Sequence, residues 1–588
     1  YETIAMTPQK HKDETLRSLV DLTEAAARKQ PSVMLYEDLH WADPTTLEVM
    51  NLLIDRVRSI PLLIVLTHRP EFQSRWTQHG HVTGLNLSKL TRAQSSAMVT
   101  RIAGTKALPL DLLDRILTKT DGVPLFVEEL TKSILESDEI KDAGDHYEYA
   151  GSAHSIIIPA TLRDSLIARL ERFASVKEIA QIGAAIGREF SYELVEAIAP
   201  ISKTQLGDAL ARLSESGLAF RRGTPPDSVY TFKHALVQDA AYDSLLKSRR
   251  LDLHATIARV IEERFPHVRD TEPELLAQHY DRAGIPDQAA MLWLRAGSIA
   301  SARSAFPDSI THLSHGLEAC KGIVDDELNR KCRLELLTTR GIAHMAMKGW
   351  PAPDVGKDLS EALPLARAQN RADLLVPILG GLYWNRHNPG PVRASLPLLD
   401  EAFEEARSRK DGDLDLLAHM LAVSGNFWLG NISEVVRHAH RISQLYEPQR
   451  GARIQGALSH DPKTVAQAHS TQALWMLGYP DQALRVFEEN NEHARQMGNF
   501  FDHGFALAFG AAMLGLRRDV DRLNSIADQV TRIAREQRLP ILEHLMSASV
   551  KADALYLSGQ TQDHVLLRRR LIEIWSSIGG GINLPYHR

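Results

Sequence analysis

The stretch from Val33 to Thr46 reads Val-Met-Leu-Tyr-Glu-Asp-Leu-His-Trp-Ala-Asp-Pro-Thr-Thr, and the rest of the chain is organised around it. Residues 33–36 are apolar without alternation, the pattern of a strand buried on both faces of a parallel sheet. Glu37 and Asp38 follow directly. Ligands of open α/β sheets bind beyond the carboxyl ends of strands, where an acidic group can hold hydrated Mg²⁺ on a nucleotide phosphate. The bare acidic pair fits a helix-capping loop equally well.

A helix and a second strand are predicted next. Asp43 is placed to cap a helix with Pro44 at its first position. Residues 62–66 form a second apolar run, followed by Thr-His-Arg-Pro at 67–70. The apolar face of the helix comprises Leu47, Met50, Ile54 and Val57. The segment therefore predicts a strand-helix-strand unit with polar residues at the ends of both strands.

Length, charge and cysteine content narrow the class of protein. The 588 residues allow about four domains on the length prior. A net charge of -6 and a pI near 6.5 give no basic excess for nucleic acid or a membrane surface. Two cysteines, Cys320 and Cys332, indicate neither a disulfide framework nor a cysteine-rich zinc site. Apolar runs such as 61–66 fall far short of the roughly 20 residues that span a bilayer. We therefore expect a cytoplasmic protein without a membrane segment.

Residues 88–155 are predicted to form a helical lid. Helices are expected to begin near residue 90, over 108–119 and after 121, and the polar stretch 137–155 is expected to be a linker or lid loop. Gly122 and Pro124 lie at the start of the third helix, where a turn with proline at the first helical position is the simplest interpretation.

Residues 156–233 have a winged-helix pattern, with a helical linker over 234–284. Helices are expected at 160–173, 175–186, 191–198 and 203–216, with a hairpin from 218–222 and 229–233. The charges of the last helix, Lys203, Asp208, Arg212 and Glu215, sum to zero. A DNA-reading helix needs excess positive charge, so we expect a winged helix that packs against the nucleotide domain and no direct nucleic-acid binding.

Residues 285–588 are predicted to form a solenoid of helix pairs. Turn glycines recur at intervals of 37 to 48 residues. They are Gly349, Gly390, Gly430, Gly478, Gly515 and Gly559. The best-formed repeat, 466–495, looks like a tetratricopeptide repeat, whose ideal length is about 34 residues. Such repeats leave a concave surface for a protein or peptide. The identity of the partner that binds this surface, and whether the chain self-associates, stay open.

The strings Glu37 to Asp43 and Thr67 to Phe72 resemble the Walker B and sensor region of STAND-class signalling ATPases, a branch of the AAA+ ATPases. The resemblance implies ATP and Mg²⁺ as ligands, with the carboxyl part of a parallel P-loop NTPase domain over 1–87. Glu37 occupies the position that is usually Asp in the family, so which acid supports Mg²⁺ and which polarises water stays open. Arg69 is placed to contact the γ-phosphate; the alternative is a surface ion pair.

The same resemblance extends to later residues. Gly122 and Pro124 resemble a Gly-x-Pro motif near the adenine, and His234 resembles a histidine that senses nucleotide from the winged-helix side. Without the resemblance, His234 would be a structural residue. The phosphate-loop pattern G-x-x-x-x-G-K-[ST] is absent from the sequence. We therefore expect the phosphate-binding loop to precede Tyr1 in a longer protein.

Three interpretations of function remain open. The order of segments, with the strings at residues 160–166, 180–190 and 232–242, looks most like the ATPase and tetratricopeptide region attached to class III adenylate or guanylate cyclases. The favoured interpretation is an ATP-dependent switch that controls such an output domain. The alternatives are a LuxR-type transcriptional regulator and a repeat scaffold beside an inactive NTPase remnant.

Overall fold

A computed structural model describes residues 6–73, 76–104, 106–137, 139–150, 161–171 and 174–587. The chain divides into two compact units, one formed by residues 1–76 together with 290–588 and the other by residues 77–289. The described residues are mainly helical, as predicted, with three small sheets. None of the described helices has the length and apolarity needed to cross a membrane. The five-domain division of the sequence stays a prediction.

The first unit begins with the predicted strand-helix-strand. Thr7 caps the first helix, and Asp43 caps the second by accepting a hydrogen bond from the Thr46 N–H. Pro44 occupies the first helical position, as predicted. The two strands pair in parallel, with Ser32 opposite Leu62. The elements are α1 (Pro8–Lys29), β1 (Ser32–Tyr36), α2 (Pro44–Arg56) and β2 (Leu62–Leu66).

The expectation that residues 33–36 are buried on both faces is wrong for the described structure. Val33 and Leu35 are 68% and 59% exposed, and Leu63 and Val65 on β2 are exposed beside them. The opposite face packs against Ala27 of α1 and other apolar side chains. The absence of alternation in sequence indicates two covered faces only when helices flank both sides of a sheet. In the described structure, packed elements cover only one face of the β1–β2 sheet.

The second unit begins with three helices and a hairpin. The helices are confirmed near their predicted positions, with Val99, Ile116 and Leu130 buried between them. The expectation of a linker over 137–155 is wrong for residues 140–149, which contain antiparallel strands. The Asp142 carboxylate accepts the Gly144 N–H at the turn, a local signal that composition did not show. The elements are α3 (Arg92–Ile102), α4 (Leu110–Thr120), α5 (Pro124–Leu135), β3 (Ile140–Asp142) and β4 (Tyr147–Tyr149).

Four helices and a three-stranded antiparallel sheet follow. The sheet order is β5-β7-β6, in which the β6–β7 hairpin was predicted and β5 was not. The predicted start at 156–160 lies outside the described residues, and the winged-helix assignment stays a prediction. The elements are α6 (Leu162–Glu171), α7 (Ala174–Ile186), β5 (Glu189–Ser191), α8 (Tyr192–Ile198), α9 (Lys203–Glu215), β6 (Ala219–Thr224) and β7 (Asp227–Phe232). Then come α10 (Ala235–Asp243), α11 (Lys247–Arg264), α12 (Val268–Thr271) and α13 (Pro273–Arg282).

The remaining chain forms the predicted helix pairs. From α16 onward the first helix of each pair packs on the first helix of the next, and the helix pairs bury two large apolar clusters. The earlier helices are α14 (Pro286–Ala302), α15 (Phe306–Cys320), α16 (Asp326–Lys348), α17 (Pro353–Ala368), α18 (Ala372–His387), α19 (Leu396–Arg409), α20 (Gly412–Leu429) and α21 (Ile432–Leu445). The later ones are α22 (Pro448–Leu458), α23 (Pro462–Met476), α24 (Pro480–Gln496), α25 (Phe500–Leu516), α26 (Val520–Gln537), α27 (Ala548–Leu557), α28 (Thr561–Ser577) and α29 (Leu584–His587), with a π-helical turn over Leu542–Ser547.

Candidate functional site

Backbone hydrogen bonds join the loops that follow β1 and β2. The Thr67 N–H donates to the Tyr36 carbonyl at 2.9 Å, and the Leu39 N–H donates to the Thr67 carbonyl at 2.9 Å. The Thr67 side chain accepts the Asp38 N–H at 2.9 Å. Parallel pairing therefore brings the two predicted polar loops to one edge of the sheet, and Thr67 fixes the backbone on both sides of Asp38.

Asp38 has a left-handed backbone, with φ of 56°. This conformation costs a non-glycine residue about 1–2 kcal/mol, and Asp is among the residues that accept it. The buried side chain of Leu39 and the bonds to Thr67 hold the loop in this state. Strained residues that the surrounding structure over-determines cluster at functional sites, which makes this loop the leading candidate.

Glu37 and Arg69 are exposed, and Asp38 is partly buried. The loop that carries Arg69 is anchored on α2, because the Phe72 and Trp76 ring centroids lie 6.2 Å apart and the Trp76 indole N–H donates to Asn51 at 2.5 Å. Glu37, Asp38 and Arg69 therefore lie at the same end of the sheet, in the loops that follow the carboxyl ends of β1 and β2.

The chemistry of this edge fits a hydrated magnesium ion on a phosphate. Glu37 and Asp38 offer hard oxygen donors, and the Arg69 guanidinium matches phosphate oxygens. No group of three or more His, Cys, Asp or Glu residues suited to a metal occurs among the described residues. Mg²⁺ bound through one or two carboxylates, waters and substrate phosphates requires no larger protein cage.

Gly122 and Pro124 lie in the second unit at the start of α5. Gly122 has φ of 70°, and a Cβ there would lie 2.2 Å from the Leu90 carbonyl oxygen. The Leu90 N–H donates to the Gly122 carbonyl at 2.7 Å, while Pro124 occupies the first turn of the helix. Close packing of two backbones therefore accounts for this glycine. The adenine-binding role stays a prediction.

His234 precedes α10 in the second unit. Its Nε2 atom is buried and has no hydrogen-bond partner within the described structure. Burial, and then the neighbouring Lys233 ammonium, lower the pKa of His234 below its usual range, which keeps the ring neutral near pH 7. Lys233 also pairs with Glu128 of α5 at 2.8 Å. His234 is therefore an uncharged ring with one nitrogen still able to bond, and its sensor role stays a prediction.

A groove between α24, α25 and α26 was not found from sequence. Its volume is about 330 Å³. Phe487, Leu507 and Ile526 form its buried apolar lining. The Asn491 Oδ1 atom is buried, and no donor among the described residues bonds to it. Arg522 lies over the Phe487 ring and pairs with a glutamate of α24. The lining residues are far apart in sequence, so no local pattern predicts the groove.

Comparison with known proteins adds little about activity. No family model matches the chain. An uncharacterized protein from Rhizobium meliloti (strain 1021) is 24% identical over 573 residues, which cover 95% of this chain and 53% of that protein. The chain therefore spans about half the length of this curated relative.

Two solved structures are similar at low TM-scores. One is a Signal Transduction ATPase with Numerous Domains (STAND) protein with a tetratricopeptide repeat sensor from Pyrococcus horikoshii, with 12% identity, a TM-score of 0.33, and 95% of this chain and 85% of that chain covered. The other is Rap protein complexed with Competence and Sporulation Factor, with 12% identity, a TM-score of 0.37, and 72% of this chain and 100% of that chain covered. We draw no site or function from likenesses at these TM-scores.

Proposed function

We propose that this chain is the regulatory part of an ATP-dependent signalling switch, in which residues 32–72 contribute the magnesium and γ-phosphate side of the nucleotide site. The joined ends of β1 and β2 carry this proposal, because hydrogen bonds from Thr67 hold a strained Asp38 beside Glu37 at the strand edge. A loop that served only to cap α2 would need Asp43 alone.

The residues at this edge are assigned different roles. Glu37 is exposed, whereas Asp38 is partly buried and has a left-handed backbone, so the two acids are unsuited to one shared role. Glu37 supports the water shell of Mg²⁺, and Asp38 orients water for attack. Arg69 contacts the γ-phosphate, which ATP carries and ADP lacks, so it separates the two nucleotides. Gly122 and Pro124 near the adenine and His234 as sensor complete the proposal.

The helix pairs are proposed to bind a protein or peptide partner. The groove between α24, α25 and α26 combines an apolar lining with the unpaired Asn491 oxygen, which suits a peptide N–H beside an apolar side chain. A partner that binds one conformation better than another shifts the population of the switch by its difference in affinity.

The output is proposed to be an attached class III adenylate or guanylate cyclase. This part rests on the sequence resemblance of residues 160–190 and 232–242. A LuxR-type regulator is the alternative, since it has a similar order of segments. A scaffold with an inactive NTPase remnant is the third candidate and predicts no effect of nucleotide.

Glu37→Gln and Asp38→Asn test the proposed site. In the full-length natural protein, Glu37→Gln should weaken Mg²⁺-dependent ATP binding, because a neutral amide balances the cation poorly. Asp38→Asn should preserve binding and lower turnover by roughly 10²- to 10⁴-fold, the usual loss for a general base. Nucleotide titration and single-turnover hydrolysis measure the two effects.

Asp55→Asn is the matched control, since Asp55 is an exposed carboxylate near the far end of α2. It should leave binding and turnover unchanged. If Glu37→Gln and Asp38→Asn behave like this control, the strand edge has no nucleotide role and the scaffold interpretation becomes the better one.

A further inference from the structure

Helices α1 and α2 contact two helices of the repeat region that are far apart in sequence. All four elements belong to the first compact unit. Lys12 of α1 pairs with Glu48 of α2 at 2.8 Å, and its ammonium-bearing side chain is 9% exposed. The two helices pack together and are called the α1–α2 layer below.

The first contact joins α2 to α15. The Thr45 hydroxyl donates to Asp308 Oδ2 at 2.8 Å. Asp308 is about half buried in this contact, and burial, then the nearby Asp43 carboxylate, raise its pKa above the usual range. Thr45 is the second residue of α2, two positions after the Asp43 cap that ends the Glu37–Asp43 loop. The contact therefore lies directly beside the proposed nucleotide edge.

The second contact joins α1 to the end of α26. Arg538 donates to Asp13 at 2.6 Å and to Glu14 at 3.0 Å, and its side chain is 22% exposed. The Thr7 hydroxyl also donates to the Gln537 carbonyl at 3.1 Å. Arg538 has a left-handed backbone at the helix end, with φ of 54°, which fixes the direction in which its side chain leaves the helix. An arginine that bonds two carboxylates at once is held in a more defined geometry than one in a single exposed ion pair.

We propose that the α1–α2 layer is an intrachain docking surface for both α15 and α26, and that it transmits changes in their relative position to the Glu37–Asp43 loop. The loop has little freedom to absorb such changes, because Thr67 holds Asp38 on one side and Asp43 caps α2 on the other. A partner that changes the packing between successive helix pairs would therefore alter the loop. This inference requires no nucleotide, so it can fail or succeed independently of the proposed function.

Arg538→Glu in the 588-residue chain tests the inference, with hydrogen exchange measured by mass spectrometry. The variant places like charges against Asp13 and Glu14, so amides in the first half of α1 should exchange at least about fivefold faster. Amides of residues 38–46 should also exchange faster, because the layer no longer holds α2 against α15.

Arg535→Glu is the matched control. Arg535 lies three residues earlier, in α26; its side chain is 69% exposed and pairs with Glu543 at 2.7 Å, away from α1. This variant should leave α1 and the loop unchanged. Combining Arg538→Glu with Asp13→Lys and Glu14→Lys should restore slow exchange, because the charges are exchanged across the same contact.

Two results would overturn the proposal. If Arg538→Glu and Arg535→Glu give the same exchange in α1, the contact does not exist in solution. If α1 exchanges faster while residues 38–46 do not change, the contact exists but does not transmit to the loop.

Discussion

Asp38 and Gly122 both have a left-handed backbone, but for different reasons. Asp38 is held by the hydrogen bond that its N–H donates to the Thr67 hydroxyl. Gly122 lies so close to the Leu90 carbonyl that no side chain fits. The hydrogen bond to Thr67 accounts for the backbone of Asp38, and close packing accounts for Gly122; both positions were candidate site residues in the sequence, and their roles stay predictions.

Gly122→Ala should destabilise the second unit strongly. The positive φ costs alanine about 1–2 kcal/mol. Overlap of its Cβ with the Leu90 carbonyl oxygen adds roughly another 1–3 kcal/mol, the range for overpacking. Denaturant unfolding measures the loss in the free energy of unfolding. Hydrogen exchange of α3 and α5 shows whether the loss falls in these helices.

Gly104→Ala provides the matched comparison. Gly104 has a similar φ of 67°, but a Cβ there meets nothing within 4 Å. Only the cost of the backbone conformation should appear. Equal losses for the two variants would show that the contact with Leu90 relaxes without cost, and the structural explanation of Gly122 would then be wrong.

Sequence predicted some of these residues better than others. Asp43 and Pro44 were placed correctly because capping is local chemistry, carried by residue types within one turn. The left-handed backbone of Asp38 could not be predicted, since it depends on Thr67, which follows the second strand. The close approach of Leu90 to Gly122 is likewise a contact between distant residues.

At the scale of elements, α11 and α13 are joined by a buried histidine pair. His254 and His279 approach within 3.0 Å through their Nδ1 atoms, and Tyr242 bonds the other nitrogen of His254. Burial lowers the pKa of His254 to about 4 and that of His279 to about 3. Both rings are therefore neutral in the folded protein at pH values where free histidine is charged.

The packing of α11 on α13 should weaken as the pH falls. The unfolded histidines take up protons below about pH 6.5, while the folded pair does not until about pH 4, so stability present above pH 6.5 is lost on acidification. At pH 5.5 the loss is roughly 1 kcal/mol for each histidine. Hydrogen exchange of α11 and α13 at pH 7.5 and 5.5, corrected for the intrinsic rate, measures it.

His279→Gln should reduce this pH dependence by about half, since glutamine can bond to His254 without taking up a proton. His267→Gln, at an exposed position, should keep the full dependence. Identical pH dependence in His279→Gln and the unsubstituted protein would show that the buried pair does not control this packing.

Elements were predicted well where their signals are periodic. The bounds of β2 agree with the sequence prediction, because the strand has clear ends and an uninterrupted apolar pattern. The short strands β3 and β5 were missed, since three residues each are too few to show a period. The exposed face of β1 was missed because an apolar run does not reveal how many layers cover it.

At the scale of the whole molecule, segments from the beginning and the end of the chain share one compact unit. The linear order of segments suggested separate bodies at 1–87 and 285–588. Arg538 and its partners Asp13 and Glu14 carry no sequence signal, since exposed arginines and acids are common everywhere in the chain. Long-range contacts of this kind need a structure.

The 588-residue chain should bind ATP weakly, with a dissociation constant near the millimolar range or above. It lacks the G-x-x-x-x-G-K-[ST] pattern, whose backbone N–H groups and lysine hold the phosphates, and carboxylates with Mg²⁺ cannot replace that cradle. Isothermal titration with Mg²⁺–ATP measures the affinity. Micromolar binding would show that other residues of this chain form a phosphate site.

The exposed face of the β1–β2 sheet affects how the protein behaves in a test tube. Val33, Leu35, Leu63 and Val65 present an apolar surface next to the outer edges of two strands. Edges of this kind offer free N–H and C=O groups to any strand that meets them, and apolar side chains favour the encounter. The rate at which the protein aggregates should therefore depend on its concentration as well as on temperature.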